Sequence, residues 1–169
     1  MQAQANANPL LRLYRRVLGL FIAGLILSGL TAFPLRHELE AVCSIRGLDQ
    51  PNATPAHNLD RWLLTIRDGL RTTYANYPWV AYGTDWLAFA HLVLALFFIG
   101  PFMDPIRNVW VVKAGLIACL LVLPLALIAG PWRGIPLGWR LIDCSFGVLG
   151  AIPLYCCLRL TRRLAAAGL

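Results

Sequence analysis

The sequence predicts an all-α, polytopic membrane protein: a four-transmembrane-helix bundle with an outer amphipathic helix. Three observations carry this. The chain of 169 residues is 59% hydrophobic and 14% charged, with a mean hydropathy of +0.64, far more apolar than a chain that folds in water. Four apolar stretches, each near the roughly 20 residues that cross a bilayer, together take up nearly half of its length. None of them alternates apolar and polar residues with the period of two that a membrane barrel needs, so helices are expected. One membrane domain over residues 1–169 follows, with spans at about 17–35, 86–103, 109–129 and 141–158 and an extracytoplasmic segment at 36–83.

Span one follows Arg12, Arg15 and Arg16. A basic flank before an apolar run also fits a secretory signal peptide. The run is longer than the roughly 7–15 residues of a signal core, however, and no A-x-A-like site follows it. A retained span is expected. RHELEAV, residues 36–42, continues it beyond a bend at Pro34.

The net charge of +7 and the pI of about 9.7 gain meaning from their distribution. Arg12, Arg15 and Arg16 precede span one, Arg107 and Lys113 flank the turn between spans two and three, and Arg159, Arg162 and Arg163 follow span four. Four crossings put all of these on one side. The segment 36–83 instead balances Arg36, Arg46, Arg61, Arg67 and Arg71 against Glu38, Glu40, Asp49, Asp60 and Asp68. Uncompensated positive charge beside membrane ends marks the cytoplasmic face. Both termini are therefore expected inside, and the basic pI reads as a topology signal, with no nucleic-acid partner implied. Trp110 falls at the inner boundary and Trp79, Trp86, Trp132 and Trp139 at the outer one, the levels that amphipathic rings prefer.

Within the outer segment, DQPNATPAHN (49–58) reads as a loop. After it, Leu59, Trp62, Leu63, Ile66, Leu70 and Tyr74 recur at helical spacing, which predicts an amphipathic helix. Such a helix can lie on the outer leaflet, cover the span ends or meet a partner. Pro101, Pro124 and Pro153 place one proline in each of the last three spans, where neighbouring helices must compensate for the lost backbone bonds. Small residues four apart, Gly24 with Ser28, Ala114 with Ala118 and Gly147 with Ala151, allow close helix approach.

The candidate site is read by depth. Asp85 stands at the outer mouth of span two, and His91 lies about two turns further in at roughly 1.5 Å per residue. Span four opens with WRLIDCSFG (139–147), bringing Arg140, Asp143 and Cys144 to a similar level, and the loop before it adds Arg133. Ionisable groups at the edge of hydrocarbon are costly and are paired or face a polar cavity. One reading is structural: Asp85 and Asp143 pair with Arg133 and Arg140, and each aspartate also benefits from a helix N-terminus. The other makes the cluster a site. His91, Asp143 and Asp85 are then the catalytic candidates, with His91 as general base or proton carrier near neutrality. Arg133, Arg140 and Cys144 are the ligand-binding candidates, the arginines holding an anionic group. Asp85 and His91, six residues apart, lie on different helix faces, which leaves Asp143 as the better partner for His91.

No metal and no cofactor are expected. His37 and His57 lie in the outer segment without HxxxH or CxxC spacing, zinc needs three or four ligands, and bis-histidine haem would need a second intramembrane histidine. Of Cys43, Cys119, Cys144, Cys156 and Cys157, only Cys43 and Cys144 lie toward the oxidising side, so a single bridge between them is the one disulfide open to the chain. Cys119 and the pair Cys156 and Cys157 read as packing residues. MDPIRN (103–108) is a tight turn in which Asp104 and Arg107 can pair.

YGTDWLAFAH (82–91), GPFMDPIRN (100–108) and RGIPLGWRLIDCSFG (133–147) resemble segments of a group of small, uncharacterised four-span bacterial inner-membrane proteins. The likeness covers the last half of the chain. It implies the span count and a bacterial inner-membrane setting, and it assigns no residue a role.

Two functions of different class remain. The first is a non-enzymatic accessory, assembly or interaction subunit of a membrane complex, whose partners are the lipid bilayer and other membrane-protein subunits or further copies of itself. The second is a membrane-embedded enzyme or carrier acting on a lipid or other anionic or amphipathic substrate at the outer cluster.

Overall fold

The computed structural model describes residues 2–50, 55 and 57–168. Among these the regular structure is helical, without strands: α1 (Gln2–Ala32), α2 (Leu35–Ile45), α3 (Asn58–Asn76), α4 (Pro78–Phe97), α5 (Ile99–Met103), α6 (Val109–Pro124), a π-helical turn (Leu125–Ala129), α7 (Gly130–Trp132) and α8 (Leu137–Ala166). Three segments, Pro78–Met103, Val109–Trp132 and Leu137–Ala166, are long and apolar enough to cross a membrane. A fourth joins them if the pair Pro9–Ala32 and Leu35–Ile45, bent by 84°, counts as one span. The chain is a membrane protein with three to four such helices. Taken as whole segments, each extends past its predicted apolar run at one end or both, because backbone hydrogen bonding continues past the point where side chains turn polar.

The bend falls at Pro34, where the sequence places it. Of the run 49–58 read as a loop, residues 51–54 and 56 lie outside the described residues, and α3 takes over at Asn58. Prolines act differently in the three spans. Pro101 lacks the N–H that Phe97 O would accept, and the helix breaks at Phe98. Directly after Pro124 the chain widens into the π-helical turn, whereas α8 runs unbroken through Pro153.

The chain forms two compact units. One comprises residues 25–93 and the other residues 1–24 with 94–169.

In the unit of residues 25–93, α2 and α3 pack together. Helix α2 ends because Gly47 adopts φ +67, a conformation open to glycine. Gly47 N–H then donates to Ser44 O (2.9 Å) and Leu48 N–H to Cys43 O (2.8 Å), satisfying carbonyls the helix would otherwise leave open. Leu39, Cys43, Leu48 and Leu63 are buried, so the predicted apolar stripe of α3 faces inward at its centre, while Leu59 stays exposed. Ion pairs join α3 to α2 and to the turn after it: Arg71 with Glu40 (2.8 Å), Arg46 with Asp60 (2.6 Å) and Arg67 with Asp49 (2.5 Å). Asp60 is 4% exposed, so Arg46 answers a carboxylate already withdrawn from water.

In the other unit, α6 packs along α8. Tyr14, Leu18, Val112, Leu154, Cys157 and Leu164 are fully buried. The Tyr14 hydroxyl lies beside Thr161, whose own hydroxyl donates to Cys157 O at 3.0 Å. Gly115 and Gly147 let the helices close. A Cβ on Gly147 would fall 2.5 Å from Cys119 O, and one on Gly115 2.5 Å from the Phe98 ring. In the turn 103–108, Asp104 meets Arg107 through the backbone, its Oδ1 accepting Arg107 N–H at 3.0 Å. Asn108 donates to Gly100 O and Asp104 O at 3.1 Å each.

Candidate functional site

The six candidate residues divide between the two units: Asp85 and His91 in residues 25–93, and Arg133, Arg140, Asp143 and Cys144 in the other.

Asp85 and His91 both stand half-buried on α4. Six residues of α-helix put them roughly 120° apart around the axis. Before Asp85, the Thr84 hydroxyl bonds to Ala81 O (2.6 Å) and meets Tyr74 Oη (3.0 Å), tying α4 to α3. Deeper, His91 Nδ1 lies 2.9 Å from Leu87 O. A carbonyl only accepts, so Nδ1 is the donor in this bond. The His91 ring is therefore oriented by its own helix through Nδ1. Helix α1 presses on this turn: a Cβ on Gly29 would lie 2.9 Å from Ala88 O and 3.2 Å from His91 Cβ. Gly29 is the close-approach residue here, a role the four-residue spacing assigned to Gly24. A Cβ on Gly24 would meet nothing within 4 Å.

On α8, Arg140, Asp143, Cys144 and Gly147 follow helical spacing and form one stripe. Cys144 and Gly147 are buried, and Arg140 and Asp143 half-buried. The Arg140 chain crosses Gly130, where a Cβ would lie 2.5 Å from its Cδ. Its Nε is buried with no hydrogen-bond partner. Arg133 is exposed in the turn that Gly134 completes at φ +71, and its N–H donates to Ala129 O and Gly130 O at 3.1 Å. Among the described residues, no ion pair joins Asp143 to Arg133 or Arg140. The expected pairing does not form within this unit, because Arg140 is drawn along Gly130 by packing and Arg133 points from an exposed turn.

All five cysteines are free thiols, Cys43, Cys144 and Cys157 among them buried. No group of three or more His, Cys, Asp or Glu among the described residues is placed to hold a metal ion. Sequence reasoning passed over Gly29 and Gly130, which set the positions of His91 and Arg140. The available signal was their place inside or beside apolar helices, where glycine costs about 1 kcal/mol against alanine and is kept for a packing reason.

Comparison with protein-family models, curated proteins and solved structures gives no match to this chain.

Proposed function

We propose that this protein is a non-enzymatic accessory or assembly subunit of a bacterial inner-membrane complex. It crosses the membrane four times as a helix bundle, with both termini cytoplasmic and the α2–α3 pair outside. The supporting observation is the α2–α3 pair itself. Three ion pairs between oppositely charged side chains tie α3 to α2 and to the turn that follows it. On the flank of α2 that this leaves free, Val42 and Ile45 are exposed, Ile45 at 85%. A rigid polar platform with an apolar flank is what a partner subunit can bury at an interface. The charge distribution supports the orientation. The resemblance of the last half of the chain to small four-span inner-membrane proteins supports the setting.

One observation favours the second reading, a membrane-embedded enzyme or carrier: among the described residues, Arg140 Nε is buried without a hydrogen-bond partner. Purification of the full chain in a mild detergent separates the two. A partner chain in stoichiometric amount supports the accessory role, and Ile45→Asp should release it. An isolated protein carrying a bound lipid or cofactor and no partner overturns that role in favour of the second.

A further inference from the structure

The first basic cluster splits into two jobs. Arg15 serves the fold: its Nε donates to Phe102 O at 3.2 Å, and its guanidinium stands 5.8 Å from the centre of the Phe102 ring. Arg12 and Arg16 do not share this. Four residues apart, they lie on one face of α1, both exposed, and with Pro9 and Leu13 they border a shallow, open depression of about 280 Å³ on that face. No ion pair among the described residues involves either one. No acidic residue occurs in the sequence before Glu38, so the depression's own segment has no carboxylate to offer.

The surface below the depression changes character along the same face. Leu13, Arg16, Leu20 and Gly24 stand at spacings of three, four and four, a narrow stripe along α1. Leu13 is 49% and Leu20 75% exposed, and at Gly24 the surface is notched, with nothing within 4 Å of where a Cβ would be. Two guanidinium groups thus stand at the start of the apolar run, and an apolar track leads away from them into it for roughly 12 Å from Arg16 to Gly24. That is the outline of a phospholipid: a phosphate, then a chain. Guanidinium forks match phosphate oxygens and hold them with charge-assisted bonds.

We propose that the Arg12–Arg16 face is a binding site for an anionic phospholipid, with the headgroup phosphate held by both guanidinium groups beside Leu13 and one acyl chain laid along Leu20 and the Gly24 notch. The track distinguishes this ligand from a soluble phosphate, which would use the arginines alone. The site does not depend on the accessory role, because it needs no protein partner.

The test titrates detergent-solubilised full-length protein with phosphatidylglycerol, with phosphatidylcholine of the same chains, and with inorganic phosphate, reading lipid occupancy by native mass spectrometry. Wild-type protein should prefer phosphatidylglycerol over phosphatidylcholine. Arg12→Gln with Arg16→Gln should weaken phosphatidylglycerol binding by roughly thirtyfold, the effect of two basic side chains at a membrane surface. Arg159→Gln with Arg162→Gln should leave it near wild type. Millimolar inorganic phosphate should not displace the lipid. Equal binding of the two lipids by wild-type protein would overturn the proposal without recourse to any variant. So would an equal loss in both double variants, which would point to net charge alone, or displacement by phosphate, which would point to a soluble anion.

Discussion

Gly29 has no room for a methyl group. Its missing Cβ would stand 2.9 Å from Ala88 O and 3.2 Å from His91 Cβ, and a backbone carbonyl inside a helix cannot step aside. Gly29→Ala should therefore destabilise the purified protein by about 1–3 kcal/mol, the usual cost of overpacking. It should also shift the His91 ring resonances. Gly24→Ala, at an open position in the same helix, should be neutral or raise stability by up to about 1 kcal/mol through helix propensity. Thermal unfolding followed by circular dichroism measures both, and equal effects of the two changes would show that α1 does not press on α4 at His91. A pattern of small residues four apart favours Gly24 over Gly29. Such a pattern records where a helix can be approached, and the approach itself is made by a neighbour that the pattern does not contain.

Helices α2 and α3 are held by charge as much as by apolar contact, and their pairing should depend on pH. Arg71, and after it Arg36, hold the Glu40 carboxyl below its ordinary value through hydrogen bonds of 2.8 and 3.1 Å. A carboxylate whose folded value is depressed contributes its stability above the unfolded value and loses it as pH falls through the folded one. The contribution of Glu40 is thus complete above its ordinary value of 4.5 and fades below it. Hydrogen exchange of α3 amides, corrected for the intrinsic pH dependence of exchange, should show weaker protection at about pH 3.5 than at about pH 6, the direction linkage requires. Glu40→Gln should reduce that difference. A smaller gap between wild type and variant at the lower pH than at the higher one is the expected pattern; an unchanged gap would remove Glu40 from the docking of the two helices. The amphipathic period of α3 was legible from Leu59 to Tyr74, yet its charged partners were not. Glu40 and Arg71 are 31 residues apart, and nothing local pairs them.

Charge divides the molecule as the contacts do. Residues 1–24 with 94–169 hold ten of the fifteen basic side chains and two of the eight acidic ones, and residues 25–93 hold the remaining five and six. The net positive charge therefore belongs to one unit. Because uncompensated arginine and lysine near span ends resist translocation, the proposed orientation makes a direct prediction. With the native cysteines replaced by serine, Asn58→Cys should react with an impermeant maleimide on intact cells, and Ala167→Cys only after the membrane is opened. The reverse pattern would invert the topology and bring the Arg12–Arg16 face to the outer leaflet.

The bilayer as solvent and the helical character of the chain are properties of its composition and of the lengths of its apolar runs, so the sequence by itself determined them. Proline at position 34 likewise announced the bend between α1 and α2, because its effect is local. Only the tertiary structure decided which residues of a cluster have partners. It gave Arg15 to Phe102, 87 residues away, laid Arg140 across Gly130 and away from Asp143, and left Arg12 and Arg16 open. Side chains with the same formal charge are equivalent to any rule that reads composition or spacing. What separates them is the backbone carbonyl, ring or missing Cβ that another segment of the chain brings within a few ångströms.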